Sequence, residues 1–156
     1  MYYMLVTINL GLMRHFFILL ILIYASVKDI KSMEVPDLPF ILILFFANQI
    51  NLNAVKNFIL VALLYLIAVI AFSIFDRDVP IGMADAKIFA SLAFALGLSQ
   101  TFTIFIYSSL ASGVYAAVLL VCNSTKTTTF QTAFPYVPFI TLGTLGFYLQ
   151  LLLQNI

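Results

Sequence analysis

The fold class follows from residues 55–75, which read VKNFILVALLYLIAVIAFSIF and contain a single charged side chain, Lys56. A long apolar run without strand-like alternation predicts a helix that crosses a lipid bilayer, because a helix bonds all of its own backbone polar groups. Five similar runs flank it, at residues 14–28, 38–53, 84–99, 101–122 and 135–154. The sequence therefore predicts an all-α, polytopic integral membrane protein with about six transmembrane helices.

The composition excludes several classes of protein. Of the 156 residues, 64% are hydrophobic and 8% are charged, whereas a soluble domain carries about 25% charged residues. The net charge of +1 gives no basic surface for nucleic acid. The single cysteine, Cys122, excludes an internal disulfide and a metal site built on paired cysteines. We expect the lipid bilayer as the surrounding medium, and no metal ion or cofactor.

The chain has the length of one domain. Residues 14–156 are predicted to form a single membrane-embedded domain. Residues 1–13 are moderately apolar and form a separate N-terminal segment, which either lies along the membrane interface or extends the first helix outward. Met13 is an alternative start of the protein.

Two short polar clusters interrupt the apolar sequence. The first is KDIKSMEVPD at 28–37 and the second is DRDVPIGMADAK at 76–87, and together they hold all six acidic residues of the chain. A carboxylate costs roughly 2.5–3.5 kcal/mol at the centre of a membrane helix. The clusters are therefore expected at helix ends, where the chain meets water.

Parity of crossings places the two clusters on one side of the membrane. Two predicted crossings, 38–53 and 55–75, separate them, so the chain returns to the same face and Asp29 shares that face with Asp85. The basic residues indicate which face it is. Five lie on the side of the clusters and two on the other: Lys28, Lys31, Arg77, Lys87 and Lys126 against Arg14 and Lys56. This bias predicts that the clusters face the cytoplasm and that both termini lie outside.

Two carboxylates that share one site can hydrolyse a peptide bond. The ionised one takes a proton from water, and the protonated one polarises the scissile carbonyl and later protonates the leaving amine. Composition alone equally allows a solvated loop in which acidic and basic residues simply face water.

Three motifs, in a fixed order on the predicted helix ends, carry a family resemblance. The first is Asp29, six residues, then Pro36-Asp37, and the second is Gly82-Met83-Ala84-Asp85-Ala86-Lys87. The third opens the last helix with Pro135-Tyr136-Val137-Pro138-Phe139 and continues to Gly143. In this order they resemble the type IV prepilin peptidases, the GxGD class of membrane aspartic proteases, in a short, core-only form similar to the tight-adherence pilus or archaeal preflagellin peptidases.

The resemblance implies an integral inner-membrane endopeptidase. Such enzymes remove the basic leader from prepilins, pseudopilins or preflagellins at the cytoplasmic face, and the partner implied is a prepilin-like protein. Carried over to this sequence, the catalytic residues are Asp29 and Asp85. The supporting motif positions are Pro36, Asp37, Gly82, Ala84 and Lys87. Long members of the family also N-methylate the new terminus; the sequence leaves that activity open here.

Three further acidic residues are candidates for holding the leader: Glu34, Asp76 and Asp78. An acidic entrance attracts lysine and arginine side chains. The alternative is that these residues are ordinary loop charges.

The sequence departs from the family pattern at two positions. Ala84 stands where the second motif usually has its second glycine, and Val137 stands where the third motif usually has glycine. Alanine is the smallest replacement, and it is expected to be tolerated if the backbone at position 84 has an ordinary negative φ.

Two other functions fit the same composition. A small transporter subunit would use Asp29 and Asp85 as a proton or cation site, but it would be expected to hold its acids deep within the crossings. A non-catalytic assembly subunit of a pilus or secretion system would depend on neither aspartate.

Overall fold

The computed structural model describes residues 2–47, 51–74, 82–122 and 135–154. These residues form helices and no strand, which confirms the predicted all-α fold. The six helices of the described ranges are α1 (Tyr2–Ser32), α2 (Asp37–Phe45), α3 (Leu52–Ile74), α4 (Met83–Leu96), α5 (Leu98–Cys122) and α6 (Val137–Gln154).

Helix α1 runs from Tyr2 without a break, so residues 2–13 extend the first helix. No proline occurs before Pro36, so every residue of this stretch can donate its backbone N–H to the helix. With 31 residues the helix is about 46 Å long, more than the roughly 30 Å of a hydrocarbon core. Arg14 lies about 27 Å along the helix axis from Ser32, the last residue of α1. That distance is close to the full thickness of the hydrocarbon core, whereas an arginine at mid-bilayer would lie about half that thickness from the helix end.

Three helices of the described residues are long and apolar enough to cross a membrane. They are α3 over Leu52–Ala71, α5 over Leu98–Leu119 and α6 over Val137–Gln154. Helices α2 and α4 have nine and fourteen residues, shorter than the predicted crossings at 38–53 and 84–99. The chain is an integral membrane protein.

Helix α4 lies at the centre of the helix packing. Its residues from Ile88 to Ala93 are all buried, a pattern typical of a helix surrounded by other helices rather than by solvent or lipid. It packs against α2, α3 and α5. Fully buried core residues from five helices are Ile18 and Leu22 of α1, Ile43 of α2, Leu92 of α4, Ile104 of α5 and Ile140 of α6.

Helices α5 and α6 approach closely at Gly143. A Cβ atom built there would lie 2.7 Å from the Ile104 carbonyl oxygen and 2.8 Å from the Ser108 backbone nitrogen, and it would also meet Ser108 Oγ. Only glycine leaves room for that contact, which is the usual role of small residues between membrane helices. The glycine that closes the third motif therefore sets the distance between α5 and α6.

Helix α6 also packs against α1 through a polar contact. The Ser26 and Thr141 hydroxyls lie 2.6 Å apart, so one donates to the other, and the Leu22 carbonyl oxygen lies within hydrogen-bonding distance of both, at 2.8 Å and 3.2 Å. Both hydroxyls are thus hydrogen-bonded within the protein, and α6 is fixed between α1 and α5.

Candidate active site

The carboxylate of Asp29 lies near the end of α1 and is only 7% exposed. Its Oδ2 accepts the backbone N–H of Val137 at 3.0 Å, and the backbone N–H of Tyr136 is a second donor. Both amides belong to the beginning of α6, where N–H groups have no partner within the helix. Asp29 therefore satisfies the N-terminus of a helix that lies more than a hundred residues away in sequence.

The end of α1 is fixed by a tight turn beside Asp29. Met33 has a φ of +54°, a left-handed conformation that is uncommon for a residue other than glycine. Its N–H donates to the Asp29 carbonyl at 2.9 Å. Ser32 Oγ donates to the carbonyls of Lys28 and Glu34, at 2.9 Å and 3.1 Å. These bonds end the helix just beyond Asp29 and orient the connector toward α2.

Asp85 lies in the first turn of α4 and is 8% exposed. Its Oδ2 accepts the N–H of Gly82 at 3.2 Å, half of the reciprocal bonding known as a capping box. Gly82 has φ −66° and ψ 154°, which any residue adopts, so glycine is not required there for its conformation. A Cβ at position 82 would lie 3.2 Å from Asp85 Oδ2. Glycine at this position therefore gives the carboxylate room to fold back on the turn.

The Ala84 departure carries no backbone strain. Residue 84 lies inside α4, and among the described residues other than glycine only Met33 has a positive φ. The Val137 departure is equally benign for the contact with Asp29, because Val137 donates its backbone N–H and its side chain is fully buried in the core.

The two aspartates interact electrostatically, and both lie outside the three helices that can cross the membrane. Burial, and after it the charge of Asp29, raise the pKa of Asp85 to about 6 against a lowering by the Gly82 N–H. Burial also raises the pKa of Asp29, while the N–H groups of Val137 and Tyr136 lower it. The charge of Asp29 thus acts on Asp85, and of the two carboxylates that the sequence singles out, Asp29 is the one with two backbone N–H donors.

Asp37 and Lys87 form an ion pair. Asp37 follows Asp29 in the first motif, and Lys87 follows Asp85 in the second. Lys87 Nζ lies 2.6 Å from Asp37 Oδ1, with side chains 42% and 67% exposed. Pro36 is the N-cap of α2, with extended backbone and no side-chain hydrogen bond. Asp37 is the first residue of α2, and Pro39 lies buried in the first turn.

The remaining predicted residues are spread around this site. Glu34 is exposed in the connector between α1 and α2. Asp76 and Asp78 lie outside the described residues. Within the described ranges no group of three or more His, Cys, Asp and Glu side chains is placed to hold a metal ion.

An apolar cavity of about 270 Å³ adjoins the first turns of α4. Its lining comes from α3, α4 and α5, and Ala86, the residue after Asp85, is part of it. Phe89, one turn further along α4, also lines it. The cavity offers almost no polar group, so it accepts only apolar side chains or lipid.

The sequence did not reveal how the third motif contributes to the candidate site. The contact between α6 and Asp29 uses backbone N–H groups of Tyr136 and Val137, which carry no side-chain signature. The only signal available was Pro135 and Pro138 at the start of the last apolar run, since proline is common in the first turn of a helix. The positive φ of Met33 had no sequence signal.

Comparison with known proteins gives one match. A model of the type IV leader peptidase family matches residues 16–117, more than half of the chain. The matched range contains Asp29 and Asp85 and ends before the third motif. No curated protein and no solved structure matches significantly.

Proposed function

Because the chain belongs to the type IV leader peptidase family, we propose that it is a membrane aspartic endopeptidase that removes the basic leader from a prepilin-like protein. The substrate is a prepilin, pseudopilin or preflagellin, cut where the basic leader meets the apolar segment. The family is one of peptidases; the aspartic mechanism and the residues that carry it are our proposal.

One observation carries the proposal: Asp29 and Asp85 are two buried carboxylates near helix ends, and the charge of Asp29 raises the pKa of Asp85. Buried acids without a basic partner are costly, and two that share a field hold one proton between them. A merely structural pair of loop charges would be expected in water, each at its ordinary pKa.

The hydrogen bonds divide the roles within the pair. Asp29 accepts two backbone N–H groups and Asp85 accepts one, so the negative charge is better stabilised on Asp29 and the proton resides on Asp85. Asp29 then takes a proton from a water molecule, whose oxygen attacks the scissile carbonyl carbon. Asp85 donates its proton toward the carbonyl oxygen as negative charge develops there. As the carbon–nitrogen bond breaks, the carboxyl of Asp29 gives its proton to the leaving amine, a hydroxyl proton of the tetrahedral intermediate returns to Asp85, and the carbonyl re-forms.

Charge supports the choice of substrate and of membrane face. Glu34 is exposed in the connector after Asp29, and it would attract a leader rich in lysine and arginine, together with Asp76 and Asp78 of the second polar cluster. The bias of basic residues favours a site at the cytoplasmic face of the plasma membrane, with both termini outside. Reporter fusions after residues 78 and 126 should then signal cytoplasm, and one near residue 53 should signal the opposite side.

The test is co-expression with a prepilin and a mass measurement of leader removal, normalised to the amount of enzyme in the membrane. Asp29→Asn and Asp85→Asn should each abolish cleavage while the protein still accumulates, because an amide cannot take up or release the proton. The double variant should be scarcely worse than either single one, since members of a catalytic unit are not additive. Asp78→Asn is the matched control: it removes a carboxylate proposed to attract the leader but not to take part in the chemistry, so it should reduce cleavage only mildly.

Near-normal cleavage by either asparagine variant at position 29 or 85 would remove that residue from the active site and the aspartic mechanism with it. A proton or cation flux that depends on both aspartates, without any cleavage, would instead favour the transporter alternative.

A further inference from the structure

The ion pair between Asp37 and Lys87 links the two segments that carry the candidate catalytic aspartates. Asp37 opens α2, directly after the connector that follows Asp29, and Lys87 lies two residues after Asp85 in α4. The contact of 2.6 Å thus joins residues fifty positions apart, at the end of the helix packing where the carboxylates lie.

A shift of Asp37 is expected to move Asp29 as well, because a short connector joins the end of α1 to the start of α2. This connector is four residues long, from Met33 to Pro36. Met33 N–H is bonded to the Asp29 carbonyl, and Ser32 Oγ is bonded to the Glu34 carbonyl. Val35 packs against the hydrophobic core. A connector bonded at its start and packed in its middle has little freedom to absorb a shift of α2.

On the other side, Lys87 and Asp85 belong to the same rigid helix. The next residue, Ile88, is buried in the core, so the first turns of α4 move as one body. Helices α2 and α4 pack against each other, and α2 buries Pro39 and Ile43; apolar packing of this kind holds helices together but allows small sliding. A directional ion pair at the end of the contact limits that sliding.

We propose that the Asp37–Lys87 ion pair is a positioning element that holds the start of α2 on the first turns of α4 and thereby fixes the separation of Asp29 and Asp85. The inference rests on the proposed function for its catalytic consequence, and it makes neither Asp37 nor Lys87 a catalytic residue. Asp37 follows Asp29 in the first motif and Lys87 follows Asp85 in the second, so these two charged residues share one role.

The charges around Asp85 make the proposal testable by titration. Asp29 of α1 is the carboxylate that acts on Asp85. Asp37 of α2 is held by Lys87, and the described residues of α3, α5 and α6 carry no acidic or basic side chain except Lys56 at the start of α3. If the ion pair opens, Asp29 acts from farther away and the proton on Asp85 is lost at lower pH. If Lys87 acted only as a nearby cation, its removal would have the opposite effect.

The experiment follows the Asp85 carboxyl by carbon NMR in purified, detergent-solubilised Lys87→Met protein labelled at aspartate. We expect the titration midpoint of Asp85 to fall by roughly 0.3 pH unit for each ångström of added separation, the value for charges that start about 6 Å apart at an effective dielectric constant of about 20. With a prepilin substrate, kcat should fall about tenfold at unchanged KM, as expected for a small misplacement of reacting groups.

Lys31→Met is the matched control, because it removes a cation near the same helix end without touching the ion pair, and it should leave the midpoint unchanged. The exchanged pair Asp37→Lys with Lys87→Asp should restore the midpoint and most of kcat, which also guards against misfolding of a single variant.

A midpoint that rises or stays constant in Lys87→Met overturns the proposal. So does a KM increase confined to Asp37→Asn with an unchanged midpoint, since that result assigns Asp37 to leader binding. The titration needs no substrate, so a wild-type protein that cleaves no prepilin would refute the proposed function while the positioning role is still decided by the midpoint.

Discussion

Replacing Gly143 by alanine tests whether the close approach of α5 and α6 supports the site. The added Cβ would lie 2.7 Å from the Ile104 carbonyl oxygen and 2.8 Å from the Ser108 nitrogen. Both are backbone atoms, which cannot rotate away as a side chain can. The helices must therefore separate, or α6 must shift along α5, to accept the methyl group.

The size of the effect follows from a matched residue in the same helix. At Gly146 an added Cβ would meet a Tyr107 ring carbon at 3.5 Å, an ordinary van der Waals contact. Both substitutions gain the same helix propensity, up to about 1 kcal/mol, so this gain cancels in the comparison. The difference is the cost of overpacking, about 1–3 kcal/mol, and the backbone nature of the contacts favours the upper end.

Unfolding of the purified variants in mixed detergent micelles measures this difference. Gly143→Ala should be less stable than wild type, and Gly146→Ala should be as stable or slightly more stable. Cleavage should fall in Gly143→Ala alone, because α6 supplies the N–H groups that bond Asp29, and a displaced α6 would move Val137 away from that carboxylate.

Combining the variant with Ser108→Ala sharpens the test. This change removes Ser108 Oγ but leaves the two backbone contacts, so it should restore stability only in part. Equal stability of Gly143→Ala and Gly146→Ala would refute the close-packing argument. Full rescue by Ser108→Ala would show that only the side-chain contact matters.

Two further predictions concern the carboxylates. Because the pKa of Asp85 is raised to about 6 and the proposed mechanism needs its proton, kcat/KM should fall about tenfold per pH unit above that value. A pH series with purified enzyme measures this fall. A flat profile between pH 6 and 8 would contradict the role of Asp85 as acid. Gly82→Ala should lower cleavage about tenfold, because the added Cβ crowds Asp85 Oδ2. Ala84→Gly should keep activity, and equal activity of the two variants would show that the Asp85 carboxylate does not need this space.

The helices were predictable because lipid leaves the chain few choices. Residues 55–75 and 101–122 contain almost no charge, and α3 and α5 occupy nearly the predicted ranges. The predicted crossings at 38–53 and 84–99 correspond to shorter helices, because α2 ends at Phe45 and α4 ends at Leu96, directly before Gly97. Position 97 has a φ of +96°, which favours glycine and ends α4.

The candidate site was predictable only as a pair of aspartates. Because charge is costly in lipid, the acidic residues were expected at helix ends. The even number of predicted crossings then placed Asp29 and Asp85 on one face of the membrane. Helix α2 has only nine residues and is not among the helices long enough to cross a membrane, so the shared face stays a prediction, and the observation that links the two aspartates is the effect of the Asp29 charge on Asp85.

The sequence by itself determined the class of the protein, most of its helical segments and the two aspartates that we propose to carry the chemistry. Each of these depends on local properties: apolar length, the cost of buried charge and the spacing of motifs along the chain. Only the tertiary structure decided which helices touch, that α4 is central, that the N–H groups of α6 bond Asp29 and that Lys87 pairs with Asp37. In a membrane protein the lipid-facing and protein-facing sides of a helix are both apolar, so periodicity does not reveal the packed side. Backbone N–H donors have no side-chain signature, and their partners appear only when the helices are assembled.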